Sequence, residues 1–236
     1  MNAGYPKAEV RKMVWSVKEL IGYRMLSLEG DIGHVVDFYF DDHRWMIRYM
    51  VGDTGNWLPG RKVLLSPHSL GVPNRDLKRI PVTLTREKIK DSPDVDEHLP
   101  FSRQQEIELQ HYYGWATYWN FGEPAPVPLP QEVTAHEEEP SFEHNLRSAE
   151  EVIGYHIEAL DGEIGHLDDL LIEDNTWAIH SLVIETRNIL PGKQVTVSPE
   201  WIRNVDWFDR KVMVGMVRDA VQRSPEYHPH ALIEHG

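Results

Sequence analysis

The chain repeats itself, and this restricts its fold more than any other feature. Ser16-Val-Lys-Glu-Leu-Ile-Gly-Tyr23 returns as Ser148-Ala-Glu-Glu-Val-Ile-Gly-Tyr155, and Leu28-Glu-Gly-Asp-Ile-Gly-His34 as Leu160-Asp-Gly-Glu-Ile-Gly-His166. Asn56-Trp-Leu-Pro-Gly60 matches Asn188-Ile-Leu-Pro-Gly192, Ser66-Pro67 matches Ser198-Pro199, and Ser92-Pro93 matches Ser224-Pro225. Every pair is 132 residues apart, and 27 of the 78 positions from Ser16 to Pro93 are identical in the second copy without a gap. Two copies that align without insertion share one fold. A unit this small buries only about 60% of its unfolded surface, which favours packing on the other copy or on another chain. The repeat alone leaves open which of these happens. The expected organisation is a first unit over 14–93, a helical and aromatic segment over 94–119, and a Pro/Glu-rich linker over 120–147. A second unit over 148–225 and a tail over 226–236 complete it.

Each copy reads as β. Trp45, Ile47, Tyr49 and Val51 alternate with Met46, Arg48, Met50 and Gly52, and Trp177, Ile179, Ser181 and Val183 repeat the pattern. Period-two alternation of aromatic and β-branched residues predicts a strand with one buried face, with Trp45 and Trp177 as core anchors. In the preceding stretch, Ile32 to Phe40 and Ile164 to Ile172, the apolar pattern slips around Asp37 and Asp169. A slip of that kind predicts a bulge or a strong bend. Glu29-Gly30-Asp31 and Asp41-Asp42-His43 supply turn residues, as do their counterparts at 161–163 and 173–175. Gly33 and Gly165, inside strands, predict a sharp bend or a close backbone approach. Ser16-x-x-Glu19 and Ser148-x-x-Glu151 fit a capping box, so one helical turn opens each copy. A short helix at Thr85–Lys90 or Val217–Gln222, ended by Ser-Pro, closes it.

These residues resemble the PRC-barrel family. The match is carried by Leu-Ile-Gly-Tyr, by Glu-Gly-Asp-Ile-Gly-His-Val-Val-Asp-Phe, and by the Leu-Pro-Gly-Arg/Lys turn before Val63 or Val195. It covers Val14 to Pro93 and Leu146 to Pro225. The resemblance implies two tandem small antiparallel β-barrels with short flanking helices, of the soluble bacterial type. It relates them to the cytoplasmic domain of the photosynthetic reaction-centre H subunit and to the C-terminal domain of the ribosome-maturation factor RimM. The chain lacks the membrane helix of the first and the N-terminal barrel of the second. Domains of this family serve mostly as assembly or docking modules, so the implied role is protein binding in complex assembly, reaction centres included.

Composition narrows the partners. The formal net charge is −14, from 38 acids and 24 bases. Nucleic-acid binders need a basic footprint, so no nucleic-acid partner is expected. No apolar run approaches the length that spans a bilayer, and Met1 to Trp15 lacks the apolar core of a signal peptide; the expectation is a soluble cytoplasmic protein without an integral membrane segment. There is no cysteine, which excludes disulfides and thiolate chemistry.

Catalytic motifs are missing: no nucleophile elbow, P-loop, dinucleotide fingerprint or HExxH occurs. Leu190-Pro-Gly-Lys193 lacks the other residues of a phosphate loop and reads as a turn. His34 and His166 each precede an aspartate, Asp37 or Asp169, by three residues. Strand positions three apart face opposite ways, which argues against joint chelation unless a bulge intervenes. His228, His230 and His235 belong to the tail. Asp41-Asp42 reads as a turn, and Asp168-Asp169 as neighbours that diverge. No enzyme, cofactor, catalytic residue or metal ligand is therefore expected.

One segment stands apart. Phe101 to Trp119 begins as a polar helix carrying Ile107 and Leu109 and ends on Tyr112, Tyr113, Trp115, Tyr118 and Trp119. Two readings compete: the aromatics cover a sheet or an edge of the chain itself, or they form a docking surface. These five residues are the candidate interaction surface. The expected function is a non-catalytic interaction or assembly module with an unidentified protein partner, self-associating as a homo-oligomer. The alternative is a regulatory module that binds a small molecule or metal.

Overall fold

The computed structural model describes residues 13–93, 103–115, 146–186 and 193–229. Residues 120–145 of the expected linker, Leu190-Pro191-Gly192, Tyr118, Trp119, His230 and His235 lie outside the described residues.

Each copy opens as its capping box dictates. In the first, β1 (Val14–Ser16) leads into α1 (Val17–Leu20), and the Ser16 hydroxyl oxygen accepts from the Glu19 amide at 2.9 Å. Then follow β2 (Arg24–Ser27), β3 (Gly30–Asp41), β4 (Met46–Asp53), β5 (Lys62–Leu65) and β6 (Arg79–Pro81). The copy closes on α2 (Arg86–Lys90), capped by the Thr85 side chain. A longer helix, α3 (Arg103–Tyr113), precedes the second copy. That copy runs β7 (Leu146–Ser148), α4 (Ala149–Val152), β8 (His156–Ala159), β9 (Gly162–Glu173), β10 (Ile179–Thr186), β11 (Lys193–Val197), β12 (Ile202–Asp206), β13 (Lys211–Val214) and α5 (Arg218–Gln222).

The fold is mainly β, in two sheets. The first has the order β5-β4-β3-β2-β6 and the second β11-β10-β9-β8-β13-β12. Neighbouring strands within these orders pair antiparallel, except β2–β6 and β8–β13, which are parallel.

The opening strands are exchanged. β1 pairs with β9 of the second copy, Trp15 opposite Ile172. β7 pairs with β3 of the first, Arg147 opposite Phe40. A second seam joins the copies where the Ile47 amide donates to the Trp177 carbonyl at 2.8 Å and the Ile179 amide to the Trp45 carbonyl at 2.7 Å. Both tryptophans have left-handed backbones, with φ of 50° and 59°. They therefore act as turn residues, and the strands start just after them. Trp177 is buried against Phe38 of the first copy, their rings 6.2 Å apart, whereas Trp45 is only partly buried, stacked on Phe40. As a result one hydrophobic core runs through both copies, from Trp15, Leu20, Phe38 and Phe40 to Ile157, Leu170, Leu182 and Val212.

The slip around the aspartates is a bulge in each copy. Val35 pairs with Gly52 and Asp37 with Val51, skipping Val36; Leu167 pairs with Ile184 and Asp169 with Val183, skipping Asp168. The glycine three residues before each skipped position brings strand backbones into near contact. A Cβ on Gly33 or Gly165 would lie 1.9 Å from the carbonyl oxygen of Asp53 or Glu185.

Candidate functional site

Asp37 and Asp169 are buried, and each grips the opposite copy. Asp37 accepts from the Ser148 hydroxyl at 2.6 Å, the Glu150 amide at 2.9 Å and its neighbouring Phe38 amide at 2.7 Å. Asp169 accepts from the Ser16 hydroxyl, the Lys18 amide at 3.1 Å and the Leu170 amide at 2.8 Å. A carboxylate at the start of a helical turn satisfies amides that have no partner within the turn. Burial pushes both carboxyls above the ordinary carboxylate range, against the hydrogen bonds that favour ionisation. Both carboxylates are structural clasps between the copies.

A second reciprocal contact has its residue types reversed. In the first copy the Arg75 guanidinium lies 4.5 Å over the Trp15 ring; in the second the Arg147 guanidinium lies 4.3 Å over Trp207. Positions 15 and 147 correspond, as do 75 and 207. The cation–π pair is thus kept while its two members change places. Asp42, in the expected turn, reaches Arg147 at 3.1 Å, and its counterpart Asp174 accepts from the Met13 amide at 3.2 Å.

The aromatic segment covers the outer face of the first sheet. Leu109 is buried with Tyr49, Val51 and Leu64, and Val36, Tyr39, Tyr113 and Trp115 pack against them. Glu106 of α3, fully buried, bonds the Tyr49 hydroxyl at 3.0 Å, and the Gln110 amide donates to the same hydroxyl at 2.9 Å. Tyr113 stacks on Trp115 with ring centroids 4.2 Å apart, and burial pushes its phenol up to about 12. Tyr112 donates to the Lys88 carbonyl at 2.8 Å, and the Lys88 ammonium lies over its ring. Tyr112, Tyr113 and Trp115 are therefore engaged within the chain, as the covering reading expects.

Why α3 chooses the first sheet is written in the repeat. Tyr49, Leu64 and Val36 correspond to Ser181, Thr196 and Asp168. The second sheet's outer face is polar where α3 needs apolar partners, a difference visible once the two copies are aligned. On that face lie His166, Asp168 and Glu185. Nε2 of His166 is 3.1 Å from Glu185, and Asp168 receives the Lys18 ammonium at 2.5 Å and the Gln194 amide at 2.7 Å. One ligand atom from each of the three lies within 4.8 Å of the others. The bulge makes this grouping: the carboxylate beside His166 is Asp168 and not the buried Asp169.

The second copy also exposes aromatics the first lacks. Phe208, in the β12–β13 turn, is 96% exposed and Trp201 51%. Their counterparts are Asp76 and Ser69. No described helix is long and apolar enough to cross a membrane. No model of a known protein family matches the chain, and no curated protein matches it either.

Proposed function

We propose that the chain is a non-catalytic assembly module: two PRC-barrel-like units tied into one stiff body whose outer surfaces dock a protein partner or a second copy of the chain. The exposed Trp201 and Phe208 carry this reading. Large aromatics are preferred interface anchors, and here they stand on elements tied to the shared core: Gly215 donates to the Trp201 carbonyl at 2.7 Å, and Val205 and Trp207 pack against that core. A rigid support lowers the entropic cost of docking. The family resemblance points the same way, toward assembly of a larger complex.

The test compares the wild-type chain with the variant Trp201→Ser, Phe208→Asp, which restores the first copy's residues. Sedimentation across a concentration series and affinity capture from native lysate should both show association that the variant loses. A wild-type chain that stays monomeric and captures nothing the variant does not also capture would overturn the reading.

A second reading, a small-molecule regulatory module, draws on a cleft of about 290 Å³ lined by Arg48, Tyr49, His68, Gln110, Trp115 and Thr176. That size is at the small end for ligand pockets. A thermal-shift screen distinguishes this reading, since a ligand of the folded state must raise the melting temperature.

A further inference from the structure

The geometry points to a divalent transition-metal site at His166, Asp168 and Glu185 on the outer face of the second sheet. One imidazole nitrogen and two carboxylates form a donor set suited to Zn²⁺, Co²⁺ or Mn²⁺; Mg²⁺ and Ca²⁺ prefer oxygen alone. Tetrahedral zinc with bonds of ~2.0–2.2 Å places its ligands about 3.3–3.6 Å apart. Donor atoms already within 4.8 Å of one another reach that spacing by side-chain rotation. Three protein ligands leave a coordination position for water.

Four features distinguish the group from a chance meeting of surface charges. It is built by the backbone: the bulge at Asp168 re-aims that carboxylate, and the β9–β10 register sets Glu185 directly opposite His166. Two of its side chains are largely withdrawn from solvent, His166 and Asp168 each being 19% exposed, and Glu185 is 34% exposed. The imidazole has no other anchor, since its Nδ1 is buried without a partner. Gln194 holds the second Asp168 oxygen at 2.7 Å and fixes the carboxylate, as outer-shell partners of metal ligands do. The first copy serves as an internal control. There the corresponding residues are His34, Val36 and Asp53, so one carboxylate is lost.

Lys18 is the competitor. Its ammonium, 2.5 Å from Asp168, comes from the first copy. A bound cation displaces it or shares the carboxylate with it, so metal and Lys18 oppose each other at Asp168.

The experiment is titration of the full chain with Zn²⁺ by calorimetry and with Co²⁺ by its visible absorption, circular dichroism confirming the fold of each variant. The wild-type chain should bind one equivalent of each metal at this site. His166→Gln and Glu185→Gln should each weaken binding at least ten-fold, and Lys18→Met should strengthen it. His34→Gln, and the tail variant in which His228, His230 and His235 are all Gln, should leave it unchanged. Failure of the wild-type chain to bind either metal, retention of affinity in both His166→Gln and Glu185→Gln, or loss of binding in the tail variant would overturn the assignment.

Discussion

Replacing Asp169 by Ala cuts the clasp that holds α1 to the second sheet, and the structure gives the size of the effect. The substitution strands the Ser16 hydroxyl and the Leu170 amide, both buried, and the partly buried Lys18 amide. A buried donor left without its acceptor costs about 1–3 kcal/mol. Removing the carboxylate also relieves the burial that raises its pKa, which offsets part of that loss. The net destabilisation is then about 2–4 kcal/mol. For a domain of this size each kcal/mol lowers Tm by roughly 2–4 °C, so the expected fall is about 5–15 °C. Asp169→Asn retains an oxygen for both amides and needs only the Ser16 hydroxyl to adjust, so it should cost less, about 1 kcal/mol. The mirror variant Asp37→Ala should fall in the same range as Asp169→Ala. Guanidinium unfolding followed by far-UV circular dichroism measures all three. If Asp169→Ala remains within about 0.5 kcal/mol of wild type, the carboxylate does not hold the copies together and the reasoning fails.

Other consequences follow from the same contacts. Gly165→Ala places a Cβ 1.9 Å from the Glu185 carbonyl oxygen, so strand separation should cost at least about 2 kcal/mol in unfolding measurements, far beyond an ordinary surface change. The reversed cation–π pairs predict that Trp15→Arg and Arg75→Trp each destabilise, while the double variant, which copies the second unit's arrangement, recovers about 0.5–2 kcal/mol of coupling in a double-mutant cycle. The raised pKa values of Asp37 and Asp169 set a sign for pH. Below the ordinary carboxylate value of ~3.9 both are protonated in either state and contribute nothing; as pH rises from there through the folded pKa, the folded state holds the protons longer and their contribution turns against folding. Wild-type stability should therefore fall relative to the Asp37→Asn, Asp169→Asn variant across that window, with a constant difference above it. Denaturation midpoints at a series of pH values check this, and a difference that moves the other way would contradict it.

Much of the local structure was legible. The repeated Ser-x-x-Glu gave both opening turns, the slipped apolar pattern gave both bulges, and Gly33 and Gly165 gave the close approaches, because each depends on residues near in sequence. The exchange of β1 and β7 was not legible. A strand at 14–16 fits β3 and β9 equally well, since the two are copies of each other, and periodicity records a face and not a partner. The same ambiguity hid the role of Asp37 and Asp169, whose acceptors serve helical turns in the other copy. Aromatic propensity places Trp45 and Trp177 at the start of a strand, whereas both have left-handed backbones just before it, with their carbonyls accepting the inter-copy hydrogen bonds. At the proposed metal site, spacing along one strand sets His166 against Asp169 and argues against chelation; Asp168 is brought beside His166 by the bulge, and Glu185, on the neighbouring strand, enters only through register.

The two copies form one cooperative body through exchanged opening strands, so cutting the chain between them should leave that body intact. A specific protease site placed within 125–135 and cut after folding leaves β1 in the fragment that lacks β9, and β7 in the fragment that lacks β3. The two fragments should elute together on size exclusion and unfold in a single transition near that of the intact chain. Fragments that separate without denaturant and unfold independently would contradict it.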